Sequence, residues 1–111
     1  MSMEMALYEA VDDRRRDERE IFWKVTRALE DVCDSDASDP ARDEALYRNK
    51  MLWSVLQDNL CMDENQLPDT LKQQLISLAS WVEGYTAKVR EGAGNVGALI
   101  SVNNAIIEGL V

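Results

Sequence analysis

Apolar residues recur along this chain at helical spacing, in four stretches separated by three breaks. The breaks run from Asp34 to Pro40, from Cys61 to Pro68 and from Gly92 to Gly97. In the first stretch, from about Asp13 to Val32, Ile21, Val25, Ala28, Leu29 and Val32 share one side, with Phe22 beside them. That three-to-four-residue rhythm is the signature of an amphipathic helix. The second helix starts near Asp39-Pro40, where the aspartate can cap and proline suits the first helical position. Its stripe is Ala45, Leu46, Leu52, Trp53, Leu56 and Leu60. The third starts at Pro68 and carries Leu71, Leu75, Leu78, Val82, Tyr85 and Val89. Those positions alternate four and three residues apart, as in a coiled-coil seam, and Gly92 is a natural stop. The fourth covers Val96 to Glu108, where Val96, Leu99, Ile100, Asn103, Ile106 and Ile107 fall with Leu110 in an arc of roughly 120°. The pattern predicts an all-α protein: a small helical bundle of four main helices, largely antiparallel, forming a single domain over residues 1–111. A short additional helix fits around Ala6 to Val11, and nothing alternates at period two for long enough to build a sheet.

Some positions break the pattern. Asn49 projects between Ala45, Leu46, Leu52, Trp53 and Leu56, and Asn103 between Leu99, Ile100, Ile106, Ile107 and Leu110. A buried amide without a partner costs about 1–3 kcal/mol. Each asparagine therefore bonds within the core, to helix ends or to its counterpart, or else faces a groove and bonds a partner's backbone. Trp23 lies opposite the stripe of the first helix, one turn from Arg19 and Arg27, either of which can stack on it. It is either covered by the N-terminal segment, through Leu7, Tyr8 or Val11, or it is an aromatic anchor for a partner. Tyr47, Met51 and Val55 form a second stripe on the second helix, and Ile76 stands off the main stripe of the third. Such positions suit either a central bundle helix or an interface. Trp53 and Trp81 lie on or beside main stripes, which assigns both to the core. The segment Ala93 to Val111 carries one charged side chain, Glu108, so its helix must be buried at home or against a partner. The candidate partner-binding residues are Trp23, Met51, Val55, Ile76 and Asn103; Asn49 and Asn103 are also the candidate structural polar pair of the core.

Composition narrows the function classes. The 111 residues are 46% hydrophobic and 30% charged, enough apolar content for a real core. With 21 acidic and 12 basic residues the net charge is −9, which repels a phosphate backbone. The basic cluster Arg14-Arg15-Arg16 with Arg19 is interleaved with acids and reads as a salt-bridged face. There is no histidine, so the commonest general base and metal ligand is missing. Cys33 and Cys61 lack metal-ligand spacing and are expected to be small buried hydrophobes of a cytoplasmic protein. Gly92 to Gly97 lacks the lysine and the preceding strand of a phosphate loop. No membrane span, signal segment, nucleic-acid site, cofactor, metal or catalytic residue is expected, and the chain reads as a non-enzyme.

Four strings read together: Asn49-Lys50-Met51-Leu52-Trp53-Ser54; Leu67-Pro68-Asp69-Thr70-Leu71-Lys72; Gln74-Leu75-Ile76-Ser77-Leu78-Ala79 with Trp81-Val82; and Leu99-Ile100-Ser101-Val102-Asn103 with Ile106 and Gly109-Leu110. In this order and spacing the chain resembles the FlaF family, over about residues 45 to 111 and more loosely at the N-terminus, where a tyrosine such as Tyr8 is expected. It departs from the family pattern at Asn104 and Lys72, where a basic residue and an arginine are frequent. The resemblance implies a cytosolic protein required for flagellin production and filament assembly in α-proteobacteria. It implies a flagellin-specific secretion chaperone and positive regulator acting opposite FlbT. The expected partner is flagellin. The alternatives are an adaptor that works through an FlbT-like regulator or an export component, and direct messenger-RNA binding, against which the acidic balance counts.

Overall fold

The computed structural model describes residues 19–36, 38–63, 65 and 67–109. Helix α1 covers residues 19–32, α2 Pro40–Leu60, α3 Asp69–Arg90 and α4 Val96–Gly109. No strand occurs among the described residues, so the chain is an all-α bundle as the pattern predicts. The expected short helix at Ala6 to Val11, the start of the first helix before residue 19, and Leu110 lie outside the described residues.

Local chemistry fixes the helix ends. Asp39 caps α2 by accepting the Ala41 N–H at 2.9 Å, with Pro40 following it; such a cap stabilises a helix by about 1 kcal/mol. Asp69 sits in the first turn of α3 and Lys88 and Arg90 in its last, matching the helix dipole. The end of α3 is closed by Gly92 at φ 86°, with the Ala93 N–H donating to Lys88 O at 2.9 Å and the Gly92 N–H to Val89 O at 3.0 Å. Those two reversed bonds satisfy carbonyls that the helix leaves free, and the left-handed residue between them favours glycine. Asn95 then opens α4, its Oδ1 accepting the Gly97 N–H at 2.7 Å.

The helices run antiparallel in sequence order. Phe22 of α1 meets Trp53 of α2 edge-on, ring centroids 5.7 Å apart. At the other end of α2, Arg42 donates to the Val89 carbonyl in the last turn of α3 at 3.0 Å. Leu29, Leu46, Trp53, Val82, Val89 and Leu99 are sealed inside.

Several expectations need correction. On α1 the buried side is Phe22, Thr26, Leu29 and Val32, while Ile21 is exposed. Thr26 can take an inward position because its hydroxyl donates to Phe22 O at 2.6 Å, and Thr86 does the same with Val82 O at 2.7 Å. On α3, Leu71 is exposed although it continues the seam. The cause is length: α3 has 22 residues and α4 has 14, so at ~1.5 Å per residue α4 is about 12 Å shorter. Trp81, assigned to the core, is 41% exposed. Cys33 and Cys61 are both exposed rather than buried; each follows the last turn of its helix, beyond the packed face.

Candidate partner-binding surfaces

Inside the bundle a polar chain crosses the core. Trp53 Nε1–H donates to Asn103 Oδ1 at 2.9 Å, and Asn103 Nδ2–H donates to Asn49 Oδ1 at 2.7 Å. All three residues are enclosed, at 1% exposure for Trp53 and 0% for both asparagines. The two asparagines bond to each other, one of the arrangements the pattern leaves open, and the tryptophan joins them. Asn103 is thus occupied on both sides of its amide and presents nothing to a partner in this arrangement. Asn49 Nδ2 has no acceptor. Amides point in one direction only, so this chain sets α4 in a single register against α2.

The outer surface is different. Tyr47, Met51 and Val55 are 63%, 44% and 62% exposed. They stand roughly 120–160° around α2 from Asn49 and Trp53, away from the core. Ile21, beside Phe22 on α1, is 49% exposed. Trp23 is exposed on α1, with the Arg27 guanidinium 5.3 Å from its ring centroid; its proposed cover of Leu7, Tyr8 and Val11 lies outside the described residues. Ile76 is half-buried. The structure therefore does not gather Trp23, Met51, Val55, Ile76 and Asn103 into one site: three are outward, one is partly covered and one is core.

A further surface was not foreseen. Trp81 stacks on Tyr85, ring centroids 4.7 Å apart and planes 14° from parallel. Tyr85 Oη in turn accepts the Asn95 N–H at 2.9 Å. The indole is thereby held at the edge of a shallow open depression of about 750 Å³ along one flank of α3, lined by Thr70, Gln73, Gln74, Ser77, Leu78 and Trp81. The helical phase of Trp81 pointed to it: the residue sits beside the seam, not on it.

A model of the family described as flagellar protein FlaF matches residues 5–110, nearly the whole chain. The chain belongs to the FlaF family. No curated protein and no solved structure matches it.

The strings that carry the FlaF resemblance divide between these environments. Asn49, Trp53 and Asn103 build the inner network, and Leu99 is sealed in the core. Gln74, Ser77, Leu78 and Trp81 line the α3 depression. The two departures are placed apart, with Asn104 exposed on α4 and Lys72 half-buried on α3. Among the described residues no cluster of three cysteine, aspartate or glutamate side chains could hold a metal ion. No helix among them is long and apolar enough to cross a membrane.

Proposed function

We propose that this FlaF-family protein binds flagellin in the cytoplasm as a secretion chaperone, and that it promotes flagellin synthesis through that binding. The observation that carries the reading is the pairing of a core closed by its own side chains with large apolar side chains on the outside. Tyr47, Met51, Val55 and Trp81 keep 63%, 44%, 62% and 41% of their surface in water. Exposed apolar and aromatic groups on a stable helical scaffold are what helix-in-groove recognition uses. Membership of a flagellar family points to a client among flagellar proteins. A histidine-free sequence supports action by binding rather than catalysis. The net charge of −9 keeps the free protein and its complexes soluble.

The test is direct titration. The purified full-length chain mixed with monomeric cognate flagellin is expected to form a complex at micromolar concentration or below, visible by calorimetry and by co-elution. No heat and no co-elution at tens of micromolar would end this reading. Capture of an FlbT-like regulator without flagellin would replace it with the adaptor reading.

A further inference from the structure

We infer that the Trp53–Asn103–Asn49 chain is a device for conformational choice. It holds α4 in one of several rotations that the aliphatic residues of that helix would accept about equally, and it adds no net stability in doing so.

The breadth of the apolar side of α4 is the first reason. Val96, Leu99 and Asn103 are sealed. On either side of that line stand more aliphatic residues, Val102 and Ile106 on one flank and Ile100 and Ile107 on the other, all half-buried against the core. At about 100° per residue they open an arc of about 160°, with Asn103 within about 20° of its middle. A helix in a bundle needs an apolar side of roughly 100°. A turn of about 40–50° either way would bring another aliphatic row inward: Leu99, Val102 and Ile106, or Val96, Ile100 and Ile107. No charge opposes it, since no residue from Val96 to Ile107 is charged. The α3–α4 turn ties α4 at Asn95, about two turns before Asn103. What a rotation would break is the pair of bonds at Asn103.

The direction of the chain is the second reason. An indole N–H only donates. Asn103 therefore turns its oxygen to Trp53 and its amide N–H to Asn49, whose oxygen accepts. The last donor, Asn49 Nδ2, is buried without an acceptor. A chain that begins on a donor-only group ends on a spare donor, and a spare buried donor costs free energy. Thr26 and Thr86 show the alternative. Each is buried, and each donates its hydroxyl to a carbonyl of its own helix. That satisfies the hydroxyl but joins no helices. The asparagines place their bonds between α2 and α4 instead. Replacing both ends of such a bond by apolar groups of like shape is close to neutral or stabilising. The chain is thus a means of fixing one arrangement rather than a source of stability.

The experiment compares the full chain with two double variants, Asn49→Leu/Asn103→Leu and the roomier Asn49→Ala/Asn103→Leu, by urea unfolding and by NMR of the isotopically labelled backbone. Parent and variants each keep one spare buried donor, Asn49 Nδ2 in the parent and the Trp53 N–H in the variants. At least one variant is expected to unfold at a urea midpoint no lower than the parent's. Its α4 amide signals are expected to split, or to broaden by about twofold or more through exchange between rotations, while those of α3 stay single. One sharp set of α4 signals in both variants would show that aliphatic packing alone fixes the rotation, and would overturn the inference. A midpoint well below the parent's in both, or failure of both to fold, overturns it as well, because the chain would then be a source of stability.

Discussion

Trp53 and Trp81 sit on neighbouring antiparallel helices and meet opposite environments. Trp53 is 1% exposed, and its indole N–H is bonded to Asn103. Trp81 is 41% exposed and held by a stacked tyrosine. The first joins α1, α2 and α4 into one unit through Phe22, Asn103 and Asn49. The second stacks on Tyr85, one turn further along its own helix. A large aromatic residue can thus serve either as the polar-tipped keystone of a core or as a fixed surface group. The difference is made by what meets the ring edge and the N–H.

Substitutions should separate the two environments. The largest effect is expected for Trp53→Ala, which empties the centre of the core and should destabilise the fold by about 3–5 kcal/mol in urea unfolding. Asn103→Ala leaves the Trp53 N–H and Asn49 Oδ1 without partners and should cost about 2–3 kcal/mol. The neighbouring exposed Asn104→Ala should move the same urea midpoint by no more than ~0.5 kcal/mol. If the two alanine variants proved equally stable, the inner network would not be holding α4. Gly92→Ala forces a side chain into the left-handed region at the end of α3 and should cost about 1–2 kcal/mol by thermal melting. Smallest of all, Tyr47→Ser and Val55→Ser should each leave stability within ~0.5 kcal/mol. A loss of several kcal/mol there would mean that the α2 stripe belongs to the fold.

Much of the fold was legible from spacing, caps and breaks. Asp39-Pro40, Gly92 and the asparagine pair each announce themselves by residue type. The rotation of α1 was not legible, because apolar residues at 21, 22, 25, 28, 29 and 32 fit more than one stripe. Thr26 looked polar, yet its hydroxyl bonds to its own helix. Arg42 looked like a surface residue, but its long side chain reaches a carbonyl 47 positions away. The exposed Leu71 follows from the relative lengths of α3 and α4, which no single helix reveals. The α3 flank was missed for a related reason. The sequence marks Trp81 as beside the seam, but only the stack on Tyr85 and the bond from Asn95 explain why it stays outside.

Indole N–H resonances offer the most direct comparison, since the chain has three tryptophans and three such signals. They can be assigned by replacing each residue in turn, then followed as monomeric flagellin is added to the isotopically labelled chain. The Trp81 signal is expected to shift or broaden strongly, while the Trp53 signal, bonded to Asn103, holds its position. A Trp81 signal untouched at saturating flagellin, with Trp53 moving instead, would contradict the division between a self-sufficient core and a surface kept for a partner.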